Sequence, residues 1–343
     1  MRPNGANVKI VQNYIPWYAD EYRISSYAEK KKITPAMYSD LTPQDIYKNL
    51  IKDVVDQDEA CRKVSVMMYR HIRGSRFVGM LAGPTGSGKS FIAESLSKMF
   101  PDVIYIRDIS NVSCDGWTGS KKVNDLFHGV KTADENPGKI NPVIFLDECD
   151  KMFKPKYAAG KENVSESVQA EFLTVIQGGM VLVSPENYRV TKKAINTAKI
   201  SFLFAGAFEK KAEAIAEAAS GPSLGFGASF EKAKPYSREL TMDDVMQAGC
   251  MRELCGRIQK IINLNPFSEE DFRQILDITD RGPLYELEHE LEMPIRISED
   301  RKNEIAHNAY ASGLGIRGMK NSIREYADEL IWDDCKAKVL EIA

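Results

Sequence analysis

The sequence lacks the features that are typical of secreted proteins, of membrane-spanning proteins and of proteins stabilised by a bound metal ion. Residues 1–15 contain no apolar core followed by a cleavage-site pattern, which predicts that there is no signal peptide. The longest mostly apolar stretch, Ile200 to Phe208, is far too short to cross a bilayer. The six cysteines form no C-x-x-C pair, so we interpret them as reduced thiols. These absences predict a cytoplasmic protein with no membrane partner.

The chain also lacks an excess of charge of one sign and any long run of basic residues. It carries 46 Lys and Arg against 49 Asp and Glu, a formal charge of −3. This balance argues against nucleic acid or an anionic membrane as the main partner. Internal repeats and low-complexity segments are missing as well. With 343 residues, of which 43% are hydrophobic, the chain can form two domains with real cores.

The order of apolar segments predicts an α/β fold with a parallel sheet and helices on both faces. We expect a helix from Gln44 to Arg73, a second from Ser90 to Met99, and four buried strands between and after them. The predicted strands are Phe77–Ala82, Val103–Ile106, Val143–Leu146 and Ile200–Ala205. After residue 265 the pattern becomes mostly helical, with helices expected at 268–278, 298–311 and 318–335. We therefore expect an aromatic-rich arm (1–42), a large domain (43–265) and a small helical domain (266–343).

A complete phosphate-binding motif joins the first strand to the following helix. It fits G-x-x-x-x-G-K-[ST] with the sequence Gly83-Pro84-Thr85-Gly86-Ser87-Gly88-Lys89-Ser90, and Phe91 follows in the helix. The glycines let backbone N–H groups surround the phosphates of ATP, and the helix amino terminus adds positive potential. Lys89 is expected to reach the β- and γ-phosphates, and Ser90 to coordinate Mg²⁺.

Two adjacent carboxylates, Asp147 and Glu148, follow the third buried strand. Carboxylates at the exit of a buried strand are costly unless a positive group lies beside them. We expect Asp147 to hold the Mg²⁺ shell and Glu148 to polarise the attacking water. This pair predicts ATP hydrolysis rather than phosphoryl transfer to a second substrate.

From about Ile46 to Cys335 the chain resembles the AAA+ domain of ClpX-type protein unfoldases. Besides the two motifs above, five segments resemble motifs of that family, in the family's order: Val54-Val55-Asp56-Gln57, Gly116-Trp117-Thr118-Gly119, Ser223-Leu224-Gly225-Phe226-Gly227, Gly256-Arg257 and Gly315-Ile316-Arg317-Gly318-Met319.

The resemblance implies a role for each of these segments. The first would pack on adenine, with Val54 and Val55 as contacts, and the second would be a pore loop whose Trp117 grips a substrate chain. Leu224, Gly225 and Phe226 would dock on a ClpP-like peptidase. Arg257 would be the arginine finger that reaches the ATP of a neighbouring subunit, and Arg317 would contact nucleotide from the small domain. The implied assembly is a homo-oligomeric ring, by family habit a hexamer, acting on unfolded or tagged proteins.

The chain departs from that family at several positions. Residues 1–42 contain no counterpart of the family's four-cysteine zinc domain. Trp117 and Thr118 replace the usual Tyr and Val, and Lys320 stands where a second arginine is usual. The second pore loop has no clear counterpart, with Arg189, Lys192 and Lys193 as possible substitutes, and the sensor-1 residue is expected near residues 205–207.

Two alternative functions share most of these motifs. One is a remodelling ring that works without a peptidase, in which residues 224–226 are an ordinary loop. The other is a nucleic-acid motor, which shares the phosphate loop and the arginine finger. Trp117 argues against the second alternative, because nucleic-acid motors track phosphates with basic loops.

Overall fold

Five parallel strands form the central sheet of the computed structural model. The model describes residues 34–114, 121–157, 163–183, 193–220, 235–278, 282–334 and 339–342. The strand order is β2-β5-β8-β1-β9, and every neighbouring pair is parallel. The strands are β1 (Val78–Ala82), β2 (Ile104–Asp108), β5 (Val143–Asp147), β8 (Ser201–Gly206) and β9 (Lys260–Asn263). The predicted α/β fold with a parallel sheet is therefore confirmed.

Helices cover both faces of this sheet, and two apolar clusters fill the space between them. Alternate residues of a strand point to opposite faces, so Met80 belongs to one cluster and Leu81 to the other. The helices of this part are α1 (Pro43–Leu50), α2 (Asp58–Ile72), α3 (Lys89–Met99), α4 (Cys149–Phe153), α5 (Val164–Gln177), α6 (Glu209–Ser220), α7 (Met242–Gln247) and α8 (Arg252–Cys255). The described residues also contain three pairs of short strands, each strand two to four residues long. They are β3 (Val112–Ser113) with β4 (Lys121–Lys122), β6 (Met180–Val183) with β7 (Lys193–Asn196), and β10 (Ile295–Ile297) with β11 (Leu340–Ile342).

The predicted single helix from Gln44 to Arg73 is wrong. Two helices, α1 and α2, occupy this stretch, and residues 51–57 between them are not helical. At the break, Asp56 adopts a left-handed conformation with φ +49°, which a right-handed helix cannot contain. Val54, which fitted the helical period, is instead buried beside the cavity described below.

A third apolar cluster belongs to the helical region that follows residue 265. Its buried members come from α9 (Glu269–Leu276), α10 (Pro283–Leu291), α11 (Glu299–Ser312), α12 (Gly315–Asp333), β10 and β11. The capping box of Ser268 and Asp271 and the cap of Ser298 begin α9 and α11 as the sequence predicts. The last helix begins at Gly315, three residues before the predicted start. α10 and the β10–β11 pair are additions to the predicted set.

The end of the predicted arm packs on the large region. Residues 35–40 form a short 3₁₀ helix, and Tyr38 in it is 2% exposed. Its ring lies 5.2 Å from the ring of Phe100, at the end of α3. Within the described residues, none of the helices is both long and apolar enough to cross a membrane.

Candidate functional site

The phosphate loop connects the carboxyl end of β1 to the amino end of α3. Gly86 and Gly88 have φ values of +78° and +92°, a region that favours glycine. Gly88 caps α3, so the loop leads directly into the positive end of that helix. Ser87 is 1% exposed, and its hydroxyl has no hydrogen-bond partner among the described residues. A buried donor without a partner at this place fits a loop that receives an anionic ligand.

Lys89 is folded back onto the loop that precedes it. Its Nζ donates hydrogen bonds to the carbonyl oxygens of Gly83 at 2.7 Å and Pro84 at 2.6 Å. The side chain is 8% exposed, and burial lowers its pKa from 10.5 to about 8, against the opposing effect of Asp147. The ammonium group therefore lies in the loop and is stabilised by nearby negative charge.

Ser90 and Asp147 meet at the point where α3 begins and β5 ends. The Ser90 hydroxyl donates to the Asp147 carboxylate at 2.6 Å, and the other carboxylate oxygen accepts from the Glu148 N–H at 2.9 Å. A hydroxyl and a carboxylate are oxygen donors of the kind that Mg²⁺ prefers when phosphates and water complete its shell. In the described part of the chain, no cluster of three or more His, Cys, Asp or Glu offers a protein-only metal site.

Glu148 stands in a strained turn at the start of α4. Its φ is +59°, and its carboxylate forms an ion pair with Lys151 at 2.7 Å. Asp150, two residues further on, is 9% exposed and accepts the N–H of Ala207 at 3.2 Å. This bond connects the carboxylate segment after β5 with the segment that follows β8.

The turn after β8 also contacts the phosphate loop. Glu209 accepts a hydrogen bond from the hydroxyl of Thr85, and the carbonyl of Ala207 accepts from Tyr236 at 2.6 Å. Phe208 between them has a φ of +57°. Within residues 205–207, where a sensor-1 residue was expected, Gly206 accepts the N–H of Gly83 at 3.4 Å and Ala207 donates to Asp150.

A cavity of about 270 Å³ lies between the sheet region and the C-terminal helices. The loop contributes Gly86, Gly88, Lys89 and Ser90 to its wall. The remaining lining residues are Asp53, Val54, Val55, Phe91, Glu94, Phe267, Ile275, Ile278, Gly282, Pro283, Glu286, Ile316, Arg317 and Lys320. The wall therefore combines the polar groups of the phosphate loop with many apolar side chains, as a site for a nucleoside triphosphate requires.

Comparisons with known proteins agree with this geometry. Residues 79–214 match the family model of the ATPase family associated with various cellular activities (AAA). The chain is also similar to the ATP-dependent Clp protease ATP-binding subunit ClpX of Treponema denticola, with 26% identity over 316 residues. That match covers 83% of this chain and 75% of the relative. The chain therefore contains an AAA ATPase domain, and it is similar to ClpX over most of its length.

The structure brings most of the predicted nucleotide contacts of this AAA+ ATPase together. Val54, Val55, Gly86, Gly88, Lys89, Ser90, Phe91 and Arg317 all line the cavity. Three further predicted contacts, Pro84, Thr85 and Ser87, belong to the loop but not to the cavity wall. Asp147 is not in the wall either, but it accepts a hydrogen bond from Ser90, which is. Their roles toward nucleotide remain predictions.

Arg257 lies away from the cavity of its own chain. It is exposed, and it follows α8 just before β9 begins. In a parallel sheet the amino end of β9 is at the opposite edge from the carboxyl end of β1, where the phosphate loop starts. Any contact of Arg257 with nucleotide must therefore involve a second copy of the chain.

Several predicted site residues lie outside the described residues. They are Gly116, Trp117, Thr118 and Gly119 of the predicted pore loop, Leu224, Gly225 and Phe226 of the predicted docking loop, and Arg189 and Lys192. Lys193 is described, and its ammonium group pairs with Glu135 at 2.7 Å.

Sequence reasoning missed about half of the cavity wall. Among the missed residues, the apolar ones are Phe267, Ile275, Ile278, Pro283 and Ile316, and two charged ones, Lys320 and Glu286, form an ion pair with each other. These residues lie in or next to α9, α10 and α12, and their local pattern is that of ordinary helices. The signals that pointed to this wall were the predicted contact Arg317 and Lys320, noted as a departure from the family.

Proposed function

We propose that this ATPase is a protein unfoldase that works as a ring and threads substrates through its centre. The observation that carries the proposal is the cavity itself, because it is built from two regions of the chain. The phosphate loop and residues 54–55 come from the sheet region, and Arg317 comes from the C-terminal helices. A ligand in this position would change the angle between the two regions when its phosphate is cleaved. That change is the source of movement that an unfoldase requires.

The proposed chemistry assigns one task to each residue. Lys89 would release its two carbonyl partners and bind the β- and γ-phosphates. Ser90 and Asp147 would hold Mg²⁺, which neutralises charge on the phosphates. Glu148 would orient the attacking water, and Arg257 of a neighbouring subunit would stabilise the charge that develops on the γ-phosphate.

We further propose how the chain is organised for this task. Residues 43–265 would form the large ATPase domain and residues 266–343 the small one, with residues 1–42 as an arm across the large domain. Subunits would close into a hexameric ring with Trp117 in its pore. The relative from Treponema denticola is a subunit of a Clp protease by name, and we propose that a ClpP-like peptidase is also the partner here, bound through Leu224, Gly225 and Phe226.

Unfolding of a stable fluorescent protein that carries a disordered tag tests the proposed activity. We expect ATP-dependent loss of its fluorescence with the wild-type chain and none with Trp117→Ala, while both hydrolyse ATP. Trp117→Tyr should restore unfolding, because an aromatic face is retained. ATP hydrolysis by the wild-type chain without unfolding of any tagged substrate would refute the proposal.

A second assay separates the unfoldase of a protease from a free-standing remodelling ring. Addition of a purified ClpP-type peptidase should convert unfolding into degradation, and Phe226→Ala should abolish degradation while it preserves ATP hydrolysis and unfolding. Phe226→Leu, which keeps an apolar anchor, should retain part of the degradation. Unfolding without degradation by the wild-type chain would favour the remodelling ring, and equal degradation by the wild-type chain and Phe226→Ala would show that docking on the peptidase does not depend on Phe226.

A further inference from the structure

The side chain of Gln57 makes a reciprocal pair of hydrogen bonds with a peptide group 208 residues away. Its Nε2 donates to the carbonyl oxygen of Asn265 at 3.0 Å, and its Oε1 accepts the N–H of the same residue at 2.8 Å. Gln57 is 2% exposed, so both bonds are shielded from water. Although it stands at the amino end of α2, its side chain does not cap that helix. The amide is therefore used entirely for the contact with Asn265.

Asn265 returns a third hydrogen bond to the same turn. Its Nδ2 donates to the carbonyl oxygen of Asp56 at 3.0 Å. Asp56 has a φ of +49°, so its backbone is held in a conformation that is unfavourable for a residue with a side chain. Such a conformation persists where surrounding contacts determine it, and the bonds with Asn265 provide those contacts.

Each side of this pair leads directly to the nucleotide cavity. Val54 and Val55, which lie three and two residues before Gln57, line the cavity. Next to Asn265, the N–H of Leu264 donates to the carbonyl oxygen of Ala82 at 2.8 Å. Leu264 also packs closely on Gly83 of the phosphate loop, because a Cβ added to Gly83 would lie 2.9 Å from the Leu264 side chain. Phe267, two residues after Asn265, lines the cavity again.

Asn265 is also the residue at which the chain leaves the sheet. β9 ends at Asn263, and α9 begins at Glu269 after the cap of Ser268. The orientation of the C-terminal helices therefore depends on the backbone between these points. A hydrogen-bonded amide in a buried setting fixes that backbone more firmly than an exposed one, because water cannot replace the bonds.

We propose that Gln57 is a positioning residue that couples binding of the nucleobase to the orientation of the C-terminal helices. A base between Val54, Val55 and the apolar wall would hold the turn at Asp56 and Gln57 in place. Because Gln57 is hydrogen-bonded to Asn265, this turn also holds the connection between β9 and α9. That connection sets the orientation of the C-terminal helices and therefore the position of Arg317. Coupling of this kind is reciprocal, so a fixed connection also favours binding of the base. The inference rests on the proposed roles of Val54, Val55 and Arg317 in nucleotide binding, and it does not depend on protein unfolding.

The test compares Gln57→Leu with a matched glutamine elsewhere in the fold. Gln169 is 1% exposed and makes the same two types of hydrogen bond. Its Nε2 donates to the carbonyl oxygen of Gly249 at 3.1 Å, and its Oε1 accepts the N–H of Met251 at 2.7 Å. Gln169→Leu should therefore lower the melting temperature about as much as Gln57→Leu, yet it lies outside the cavity wall. The two readouts are calorimetric affinities for ATP and for inorganic triphosphate, which has no base.

We expect Gln57→Leu to bind ATP about tenfold more weakly, within the range typical of coupled sites. Its affinity for inorganic triphosphate should fall much less, since the phosphate loop does not use Gln57 and no base is bound. Gln169→Leu should bind both ligands as the wild-type chain does. An equal loss of both affinities in Gln57→Leu, or the same ATP loss in Gln169→Leu, would mean that Gln57 only stabilises the fold.

A distance measurement and a second variant complete the test. Fluorophores at residue 62 of α2, whose side chain is 78% exposed, and at exposed residue 329 of α12 report the interdomain distance. We expect ATP to change this distance in the wild-type chain and much less in Gln57→Leu or in Gln57→Met. Methionine keeps the length of Gln57 in a buried setting but can neither donate to Asn265 nor accept its N–H, so it guards against a packing defect. An unaltered response in Gln57→Met overturns the inference, whereas a wild-type chain that binds no ATP overturns the proposed nucleotide site itself.

Discussion

Gly86 of the phosphate loop and Gly315 at the start of α12 pack directly against each other, backbone to backbone. A Cβ added to Gly86 would lie 2.9 Å from the Cα of Gly315, and a Cβ added to Gly315 would lie 3.0 Å from the Cα of Gly86. Real Cβ atoms essentially never show the shorter of these distances and rarely show the longer one. The C-terminal region thus meets the phosphate loop at a contact that only two glycines allow, and Arg317 follows two residues later.

We expect Gly315→Ala to reduce ATP hydrolysis by roughly 10- to 100-fold, because small displacements of positioned groups have effects of this size. The new methyl group must push α12, and with it Arg317, away from the loop. Gly313→Ala is the control, since Gly313 has a similar φ of +66° but nothing within 4 Å of its added Cβ. Both variants bear the backbone cost of about 1–2 kcal/mol. If their ATPase rates fall equally, the contact between the glycines has no role in catalysis.

Affinity for ATP should depend on the ionisation of Lys89. Burial lowers its pKa to about 8 in the free protein, and bound phosphates favour the charged form and raise that pKa. Binding therefore takes up a proton above pH 8, and the affinity should fall by up to about tenfold per pH unit as the pH rises further. Calorimetry in two buffers with different ionisation enthalpies measures this uptake.

Lys89→Arg is the control for this pH dependence. The guanidinium group stays charged in the whole range, so the variant should bind ATP more weakly but without proton uptake between pH 8 and 10. A wild-type affinity that is constant between pH 8 and 10 would show that Lys89 is charged in the free protein, contrary to the effect of its burial.

The parts of this site that local patterns encode could be predicted from the sequence. A buried strand, a glycine-rich turn and a helix start follow one another within Val78 to Met99, so the phosphate loop is visible as a motif. Asp147 and Glu148 are likewise marked by the apolar run that precedes them. Ser268 and Ser298 predict the starts of two helices, because the side chain of a capping residue hydrogen-bonds a backbone N–H within the next three residues.

The remaining parts depend on contacts between distant residues, and local patterns do not contain them. The helix predicted across residue 54 is interrupted by a turn that Gln57 and Asn265 hold, 208 residues apart. β9 is an edge strand in which only Ile262 is fully buried, so it lacks the apolar run of the inner strands. The apolar cavity wall consists of helix residues such as Ile275, whose pattern indicates a core and not a ligand.

Glu148→Gln should bind ATP normally and turn it over about 100- to 10,000-fold more slowly, the range expected for loss of a general base. The amide keeps the shape of the side chain but cannot polarise water. Lys151→Ala removes only the ion-pair partner of Glu148, at 2.7 Å. Since exposed ion pairs contribute about 0.2–1 kcal/mol, the hydrolysis rate of Lys151→Ala should differ from that of the wild-type chain by no more than about fivefold. Steady-state hydrolysis and ATP titration measure the two effects, and sustained turnover by Glu148→Gln would exclude the assigned role.

Arg257→Ala should lower ATP hydrolysis by about 1,000-fold or more while it preserves ATP affinity, as expected for an arginine supplied by a neighbour. Arg252→Ala is a suitable control, because Arg252 is also exposed and begins α8, the short helix that Arg257 follows. It should hydrolyse ATP at nearly the wild-type rate. ATPase rates over a range of protein concentrations should rise cooperatively for the wild-type chain.

Mixing two inactive variants tests the position of Arg257 directly. In a ring, each site combines Glu148 of one subunit with Arg257 of the next, so an equimolar mixture of Glu148→Gln and Arg257→Ala has about a quarter of its sites intact. Neither variant has an intact site when it is alone. We therefore expect hydrolysis to appear on mixing and to reach roughly that fraction of the wild-type rate if the sites act independently. If Arg257 acted within its own chain, mixing would restore nothing, and its exposed place before β9, away from the cavity, already argues against that arrangement.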